Sequence, residues 1–257
     1  MKPADDRPPQ PPAWDHETLR DPHAQADKAT RVQAMFDAIA PTYERVNRVV
    51  SLGRDAAWRR CAVAVADPSP SDIALDICCG TGDMIRAFAA HLPAPRRIIG
   101  IDSAAHMLAQ GGYPPSQTPI QLIRGDALRL PLTDQSVNVI SCAFGVRNFQ
   151  NLHAGLCEMQ RVLTPGGRAV ILEFALPENA LFRWGYRLYC DKVLPRLAAR
   201  ISRDRSGAYR YLPRSIQMFE RRDALAQRLR EAGFPQVAVI PLTFGGVVIY
   251  RADKPGN

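Results

Sequence analysis

The sequence predicts an α/β fold with a seven-stranded, mostly parallel sheet. Short apolar runs alternate with stretches long enough for a helix, which is typical of βαβ units with right-handed crossovers. The chain closes with two more strand-like runs, separated only by a short segment around Phe244, Gly245 and Gly246. That separation suits a hairpin, so the last strand is predicted to be antiparallel to the rest of the sheet.

Each element follows from the local pattern. The predicted strands are residues 73–78, 97–101, 120–123, 137–144, 168–174, 237–241 and 247–251, and the helices between them are residues 83–91, 103–110, 152–162 and 223–232. Before the sheet, apolar residues spaced by three and four predict a helix from Arg31. Pro41 interrupts that helix, and a second helix is predicted from about Tyr43 to Val65.

Two segments lie outside the alternation. Residues 1–28 contain six prolines and few apolar side chains, which predicts a disordered arm before a single domain of residues 29–257. Residues 176–222 separate the fifth strand from the last helix, and an insertion at this point is a suitable place for a substrate lid.

Composition and charge limit the classes of protein to which the chain can belong. The 257 residues are 46% hydrophobic, yet they include no apolar run long enough to span a bilayer and no apolar signal core near the N-terminus. The six cysteines form no C-x-x-C pair, so we expect free thiols in a reducing cytoplasm and no metal site. The net charge of +8 is concentrated in residues 183–222, which hold eleven basic and three acidic residues. Such a stretch suits an anionic partner such as phospholipid, nucleic acid or an acidic substrate, or a solvated basic face.

The turn after the first strand predicts a nucleotide-like ligand. Ligands of doubly wound sheets bind at the carboxyl ends of the strands, and Gly80 and Gly82 follow the first strand directly. A dinucleotide site would have a third glycine where this chain has Ile85, and Asp83 at the helix start would repel a phosphate. The turn is therefore predicted to bind S-adenosyl-L-methionine.

Three further positions support this prediction. Asp76 lies in the turn's strand, where it could orient loop amides or meet a cationic ligand end. Asp102 ends the second strand and could accept hydrogen bonds from both ribose hydroxyls. Asp126 and Ala127 follow the third strand, where they suit the exocyclic amine of adenine and an apolar neighbour.

Several sequence blocks between residues 31 and 252 resemble one family. They include residues 36–43 with 51–53 and Trp58, the L-D-x-x-x-G-T-G-D turn at 75–83, F-G-V-R-N at 144–148, residues 161–174, and Y-R-Y-L at 209–212. On these blocks the chain resembles the ubiquinone/menaquinone biosynthesis C-methyltransferases (UbiE/MenG type). It departs from them at Glu44, Val46 and Asp55 of the N-terminal block, and at Ala143, where the family carries a serine associated with the cofactor.

The resemblance implies a Rossmann-like class I methyltransferase fold and methyl transfer from S-adenosyl-L-methionine to a ring carbon of a polyprenylated quinol. It implies catalytic roles for Arg147, Asn148 and Tyr43, with the charge of Arg147 stabilising a quinolate. The cofactor-binding residues that follow are Asp76, Gly80, Thr81, Gly82, Asp102, Asp126, Ala127 and Ala143.

A polyprenyl tail implies a membrane partner. Residues 181–201 mix aromatic and apolar side chains with basic ones, which predicts contact with the anionic inner face of the cytoplasmic membrane. Pro195 is expected to begin a second helix there, with Arg196, Arg200 and Arg203 on one face.

Other functions stay open at this point. The chain could methylate another small molecule or RNA, although no aromatic RNA-binding motif is visible and no nucleic-acid partner is expected. It could also be a non-catalytic, cofactor-binding scaffold. The choice between a benzoquinol and a naphthoquinol, and between a homodimer and a quinone-biosynthesis complex, is open as well.

Overall fold

A computed structural model describes residues 13–113, 116–193, 196 and 206–256. Seven strands form one sheet in the order β3-β2-β1-β4-β5-β7-β6. The strands are β1 (Ile73–Ile77), β2 (Arg97–Asp102), β3 (Ile120–Arg124), β4 (Val137–Ala143), β5 (Leu163–Phe174), β6 (Gln236–Leu242) and β7 (Val247–Asp253). Strands β1 to β5 pair in parallel, and β7 is antiparallel to both β5 and β6. The predicted fold class, including the antiparallel last strand, is confirmed.

The helices are α1 (Lys28–Ile39), α2 (Tyr43–Val50), α3 (Asp55–Ala66), α4 (Asp83–Ala89), α5 (Ala105–Gln110), α6 (Leu152–Val162), α7 (Ala180–Leu188), α8 (Ala208–Met218) and α9 (Arg222–Glu231). The single helix predicted from Tyr43 to Val65 is wrong, because α2 and α3 are separate. Between them Leu52 and Gly53 have φ values of 54° and 73°, and this left-handed backbone ends α2.

The core lies on both faces of the sheet. Buried side chains of α3 and α4, such as Val63 and Phe88, pack on one face. Buried side chains of α6 and α9, such as Met159 and Leu229, pack on the other. The strand order reverses between β1 and β4, so a crevice opens there at the carboxyl ends of the strands.

The N-terminal segment differs from the predicted disordered arm over residues 1–28. Trp14 is completely buried, and its ring packs on that of Tyr211 with centroids 4.5 Å apart. The backbone N–H of Trp14 also donates to the carbonyl of Ser206 at 3.1 Å. Residues 13–27 are therefore anchored on the rest of the chain, whereas residues 1–12 lie outside the described ranges.

The segment after β5, predicted as a lid insertion, is mostly helical where it is described. Helix α7 continues into a π-helical turn, Tyr189–Val193, and α8 then packs against α1. Of the predicted second helix, Pro195, Arg200 and Arg203 lie outside the described residues. Within the ranges given above, none of the helices combines the length and the apolar character that crossing a membrane requires.

Candidate active site

The turn after β1 favours glycine at two positions. Gly80 and Gly82 have φ values of 55° and 88°, in the left-handed region that other residues rarely adopt. A Cβ atom on Gly82 would also overlap the ring of Tyr113. The chain therefore passes from β1 into α4 by a tight turn, in which Gly80 lines a cavity and Gly82 packs against the Tyr113 ring.

Asp102 connects this turn to the end of β2. One carboxylate oxygen, Oδ2, accepts the backbone N–H of Gly80 at 2.8 Å, and Oδ1 accepts that of Ala104 at 2.8 Å. Burial raises the pKa of Asp102, although these two hydrogen bonds act to lower it. Each oxygen keeps a second acceptor position, so the carboxylate can still receive the two hydroxyls of a ribose.

Asp76 and Thr81 are buried polar groups at the same turn. Asp76 accepts a hydrogen bond from the Ser141 hydroxyl at 2.6 Å, and burial raises its pKa to about 7. The Oγ1 atom of Thr81 is buried and has no hydrogen-bond partner in the described part of the chain. A buried hydroxyl without a partner is costly, which indicates a position that a ligand satisfies.

A small cavity joins these groups. It is lined by Tyr43, Arg59, Asp76, Cys78, Cys79, Gly80, Thr81, Asp83, Met84 and Ala143. We call it the turn cavity. It brings together four of the eight predicted cofactor-binding residues, namely Asp76, Gly80, Thr81 and Ala143. Gly82, Asp102, Asp126 and Ala127 do not line it. Asp102 is nevertheless hydrogen-bonded to Gly80, and Gly125 donates its N–H to the backbone carbonyl of Asp102 at 3.0 Å.

A second cavity of about 360 Å³ lies between the N-terminal helices, α8 and the end of the sheet. Its wall is mostly apolar and aromatic, and includes Met35, Phe36, Ile39, Val50, Leu52, Trp58, Phe144, Phe174, Tyr186, Tyr209, Tyr211, Leu212, Ile216, Phe244 and Val247. We call it the apolar cavity. Tyr43 and Arg59 line both cavities, so the two adjoin at these side chains.

Arg147 is one of three arginines in the wall of the apolar cavity, with Arg54 and Arg59. It lies on a 3₁₀ turn after β4, and its Nη1 donates to the Glu173 Oε1 atom at 2.7 Å and to the Phe144 carbonyl at 2.6 Å. The guanidinium carbon lies 5.6 Å from the centroid of the Phe174 ring. Burial alone would lower the pKa of Arg147, but the charge and hydrogen bond of Glu173 together with Tyr211 and Tyr43 outweigh it, and the pKa is raised. Arg147 is therefore permanently charged.

Asn148 has a different place from the one expected. It does not line the apolar cavity, and its Oδ1 atom accepts a hydrogen bond from the Tyr211 hydroxyl at 2.8 Å. Asn148 thus holds Tyr211, which does line the cavity.

Three site residues were missed in the sequence. Glu173 had a signal, since an acid inside an apolar strand needs a buried partner. Arg59 lies on a helix, where nothing local distinguishes it from a surface position. Tyr211 belongs to the Y-R-Y-L block, but that block gave no sign that Tyr211 lines a cavity. Within the described ranges no three His, Cys, Asp or Glu side chains are grouped as metal ligands.

The fold and the two adjoining cavities define a methyltransferase dependent on S-adenosyl-L-methionine, and comparison with known proteins identifies the family. The chain belongs to the ubiE/COQ5 methyltransferase family, whose profile matches residues 24–254. It is 44% identical over 230 residues to a demethylmenaquinone methyltransferase of Deinococcus radiodurans, covering 89% of this chain and 94% of that protein. It is 38% identical over 232 residues to the ubiquinone/menaquinone biosynthesis C-methyltransferase UbiE of Geotalea daltonii, covering 89% and 98%.

Solved structures agree on the fold. A SAM-dependent methyltransferase of Thermotoga maritima superimposes with a TM-score of 0.58 at 18% identity, covering 86% of this chain and 98% of that one. The residues at the turn suit the cofactor. The turn cavity offers the Gly80 backbone and the Thr81 hydroxyl, which has no partner within the described ranges, and Asp102 beside it carries two acceptor oxygens.

Proposed function

We propose that this enzyme methylates a ring carbon of a polyprenylated quinol in menaquinone or ubiquinone biosynthesis. The observation that carries the proposal is the apolar cavity, which adjoins the turn cavity at Tyr43 and Arg59. A polyprenyl tail needs a long apolar wall, whereas a small polar acceptor would gain little from one. The names of the relatives in Deinococcus radiodurans and Geotalea daltonii support the same substrate class.

The charge of Arg147 suits this chemistry. A ring carbon becomes nucleophilic when the neighbouring hydroxyl loses its proton, because the oxyanion pushes electron density into the ring. Arg147 cannot act as a base, since its guanidinium stays protonated. We assign it the role of stabilising the quinolate. The mostly apolar wall strengthens the electrostatic attraction between the guanidinium and the quinolate oxygen.

The cofactor supplies the methyl group as an electrophilic sulfonium. On the proposed site, Asp102 would hold the ribose hydroxyls. Asp76, Gly80 and Thr81, which line the turn cavity, would surround the amino-acid end together with the adjacent Gly82. Asp126 and Ala127 would contact the adenine from the end of β3. Ala143 contributes only a methyl group to the wall, where the resembling family has a serine.

Tyr43 and Asn148 are assigned positioning roles. Tyr43 lies where the two cavities adjoin, and burial raises the pKa of its phenol, so it stays neutral and separates the acceptor ring from solvent. Asn148 acts through its hydrogen bond to Tyr211, which fixes one wall of the apolar cavity.

We further propose that the mouth of the apolar cavity rests on a membrane. Leu52 and Phe244 line the cavity and are 78% and 72% exposed, and the Phe244 ring stacks on Phe182 with centroids 4.5 Å apart. Leu181 and Trp184 extend this exposed apolar surface along α7. Apolar side chains near exposed basic ones suit the interfacial zone of an anionic bilayer, and Lys192 and Arg196 follow on the same segment.

The test is methylation of defined acceptors. Purified enzyme is incubated with S-adenosyl-L-methionine and with either a polyprenyl naphthoquinol or a polyprenyl methoxybenzoquinol that lacks the ring methyl, and products are followed by mass spectrometry. We expect methylation of at least one quinol, and accumulation of the same unmethylated quinone in a deletion strain. Enzyme that binds S-adenosylhomocysteine but methylates neither quinol would contradict the proposal.

A further inference from the structure

We infer that Arg59 binds the carboxylate of the cofactor's amino-acid end and thereby aims the sulfonium at the apolar cavity. This inference rests on the cofactor of the family and not on the identity of the acceptor. It assigns a role to a side chain that the proposed chemistry leaves unused.

The guanidinium of Arg59 is held rigidly. Its Nη1 atom lies 3.3 Å from Asp55 Oδ2 on the same helix, and Nη2 lies 3.1 Å from Asp83 Oδ2 at the start of α4. The guanidinium carbon also lies 5.5 Å from the centroid of the Phe144 ring. Contacts from three sides leave the side chain 6% exposed and fix its direction.

One donor of this fixed group is unused. The Nε atom of Arg59 is buried and has no hydrogen-bond partner within the described ranges. An arginine edge presented in this way is suited to a carboxylate, because the planar guanidinium matches carboxylate geometry. Arg59 lines the turn cavity, so a ligand bound in that cavity would contact the side chain that carries this unused donor.

The charges of the cavity select the orientation of the ligand. The amino-acid end of the cofactor carries one ammonium and one carboxylate. The turn cavity offers two acids, Asp76 and Asp83, and the cation Arg59. Asp83 is already paired with Arg59 and Arg86, whereas Asp76 accepts a hydrogen bond from the neutral Ser141 hydroxyl. The charge of Arg59 also opposes the rise in the pKa of Asp76. The ammonium therefore faces Asp76 and the carboxylate faces Arg59, which leaves the sulfonium on the side of Tyr43.

Two other roles compete with this one. Arg59 also lines the apolar cavity and could contact an acceptor oxygen there. Alternatively, its pairs with Asp55 and Asp83 could serve only to tie α3 to α4. A comparison of two cofactor analogues separates the three roles.

The experiment is isothermal titration of the full-length enzyme with S-adenosylhomocysteine and with 5′-methylthioadenosine, which lacks the amino-acid end. For Arg59→Gln we expect affinity for S-adenosylhomocysteine to fall by about 10- to 100-fold, the worth of a charged hydrogen bond, and affinity for methylthioadenosine to stay unchanged. Arg59→Lys, which keeps the charge, should lose less. The matched control is Arg60→Gln, because Arg60 is the exposed neighbour on the same helix.

Each other result overturns the inference. Equal loss for both analogues would mean that Arg59 only supports the structure of the turn. Unchanged affinity for both, with a higher KM for the acceptor, would place Arg59 on the substrate instead. Thermal unfolding of each variant without ligand checks that it folds. If Arg59→Gln does not fold, the two analogues are compared on Arg59→Lys instead. Failure of the wild-type enzyme to methylate quinols would contradict the proposed acceptor, but the titrations would still test the role of Arg59.

Discussion

Arg147 and Glu173 form a buried ion pair at the carboxyl ends of the adjacent strands β4 and β5. Their Nη1 and Oε1 atoms are 2.7 Å apart, and the side chains are 5% and 1% exposed. Glu173 Oε2 also accepts the backbone N–H of Arg147 at 3.3 Å, so one carboxylate holds both the side chain and the backbone of the arginine. The cation therefore faces the apolar cavity in one fixed orientation.

Replacing Glu173 with glutamine should destabilise the protein. The variant keeps the shape of the side chain but leaves a buried cation without its counter-charge, so the free energy of unfolding should fall by about 3 kcal/mol. Urea unfolding followed by circular dichroism measures this change. The double variant Arg147→Met/Glu173→Gln should recover part of the loss, and a single variant as stable as the wild type would show that the pair does not matter.

Replacing Arg147 with methionine should stop the chemistry while sparing the cofactor. Loss of the charge that stabilises the quinolate should lower kcat on the order of 100-fold, the usual effect of removing one electrostatic contact to a developing oxyanion. Affinity for S-adenosylhomocysteine, measured by titration, should stay unchanged because Arg147 does not line the turn cavity. Normal turnover with retained cofactor binding would remove Arg147 from the mechanism.

The sheet and the cofactor turn could be predicted because their signals are local. Strands buried in a parallel sheet are continuous apolar runs, and the left-handed backbone at Gly80 and Gly82 favours glycine. Asp102 could be placed for the same reason, since it ends a strand next to the turn.

The remaining features depend on contacts between distant parts of the chain. Trp14 is buried because Tyr211 lies beside it, and the many prolines around Trp14 gave no sign of that partner. The direction of Asn148 away from the cavity is set by its hydrogen bond to the same tyrosine. Arg59 meets the turn only through the packing of α3 on α4, which periodicity does not reveal.

Cofactor binding should release a proton from Asp76. Burial raises the pKa of this carboxyl to about 7, so a large fraction is protonated at pH 6.5 before the ligand binds. The ligand's ammonium favours the ionised carboxylate, and affinity for S-adenosylhomocysteine should therefore increase with pH up to about 8 and then level off. Titrations at pH 6.5 in buffers of different ionisation enthalpy measure the released proton. Asp76→Asn should abolish the release, and identical heats for the wild type in all buffers would contradict the assignment.

Truncating Trp14 should show that the segment before α1 belongs to the folded domain. The completely buried ring packs on Tyr211, and Trp14→Ala should lower the free energy of unfolding by about 3 kcal/mol or more. The control is His16→Ala, an exposed position two residues away that should change stability by less than about 0.5 kcal/mol. Equal stability of the two variants would restore the prediction of a loosely attached segment.

Membrane contact should depend on the exposed apolar side chains of α7. Replacing both Leu181 and Trp184 with serine removes two side chains that would enter the interface, so partitioning onto vesicles should fall by about tenfold or more. The measurement is co-sedimentation with vesicles of phosphatidylglycerol and phosphatidylcholine, compared with phosphatidylcholine alone. Leu92→Ser is the matched control, because Leu92 is 88% exposed but lies after α4, outside both the mouth of the apolar cavity and α7.

The dependence of vesicle binding on anionic lipid tests the contribution of the basic side chains to the membrane contact. Lys192 and Arg196 are exposed beyond α7, and their attraction to phosphatidylglycerol should weaken as salt rises. Binding that is the same with and without anionic lipid, and the same for the serine variant and for Leu92→Ser, would rule out this surface. A quinol would then have to reach the apolar cavity from solution, where its polyprenyl tail has almost no solubility. The vesicle experiment thus decides how a substrate of the proposed class can enter.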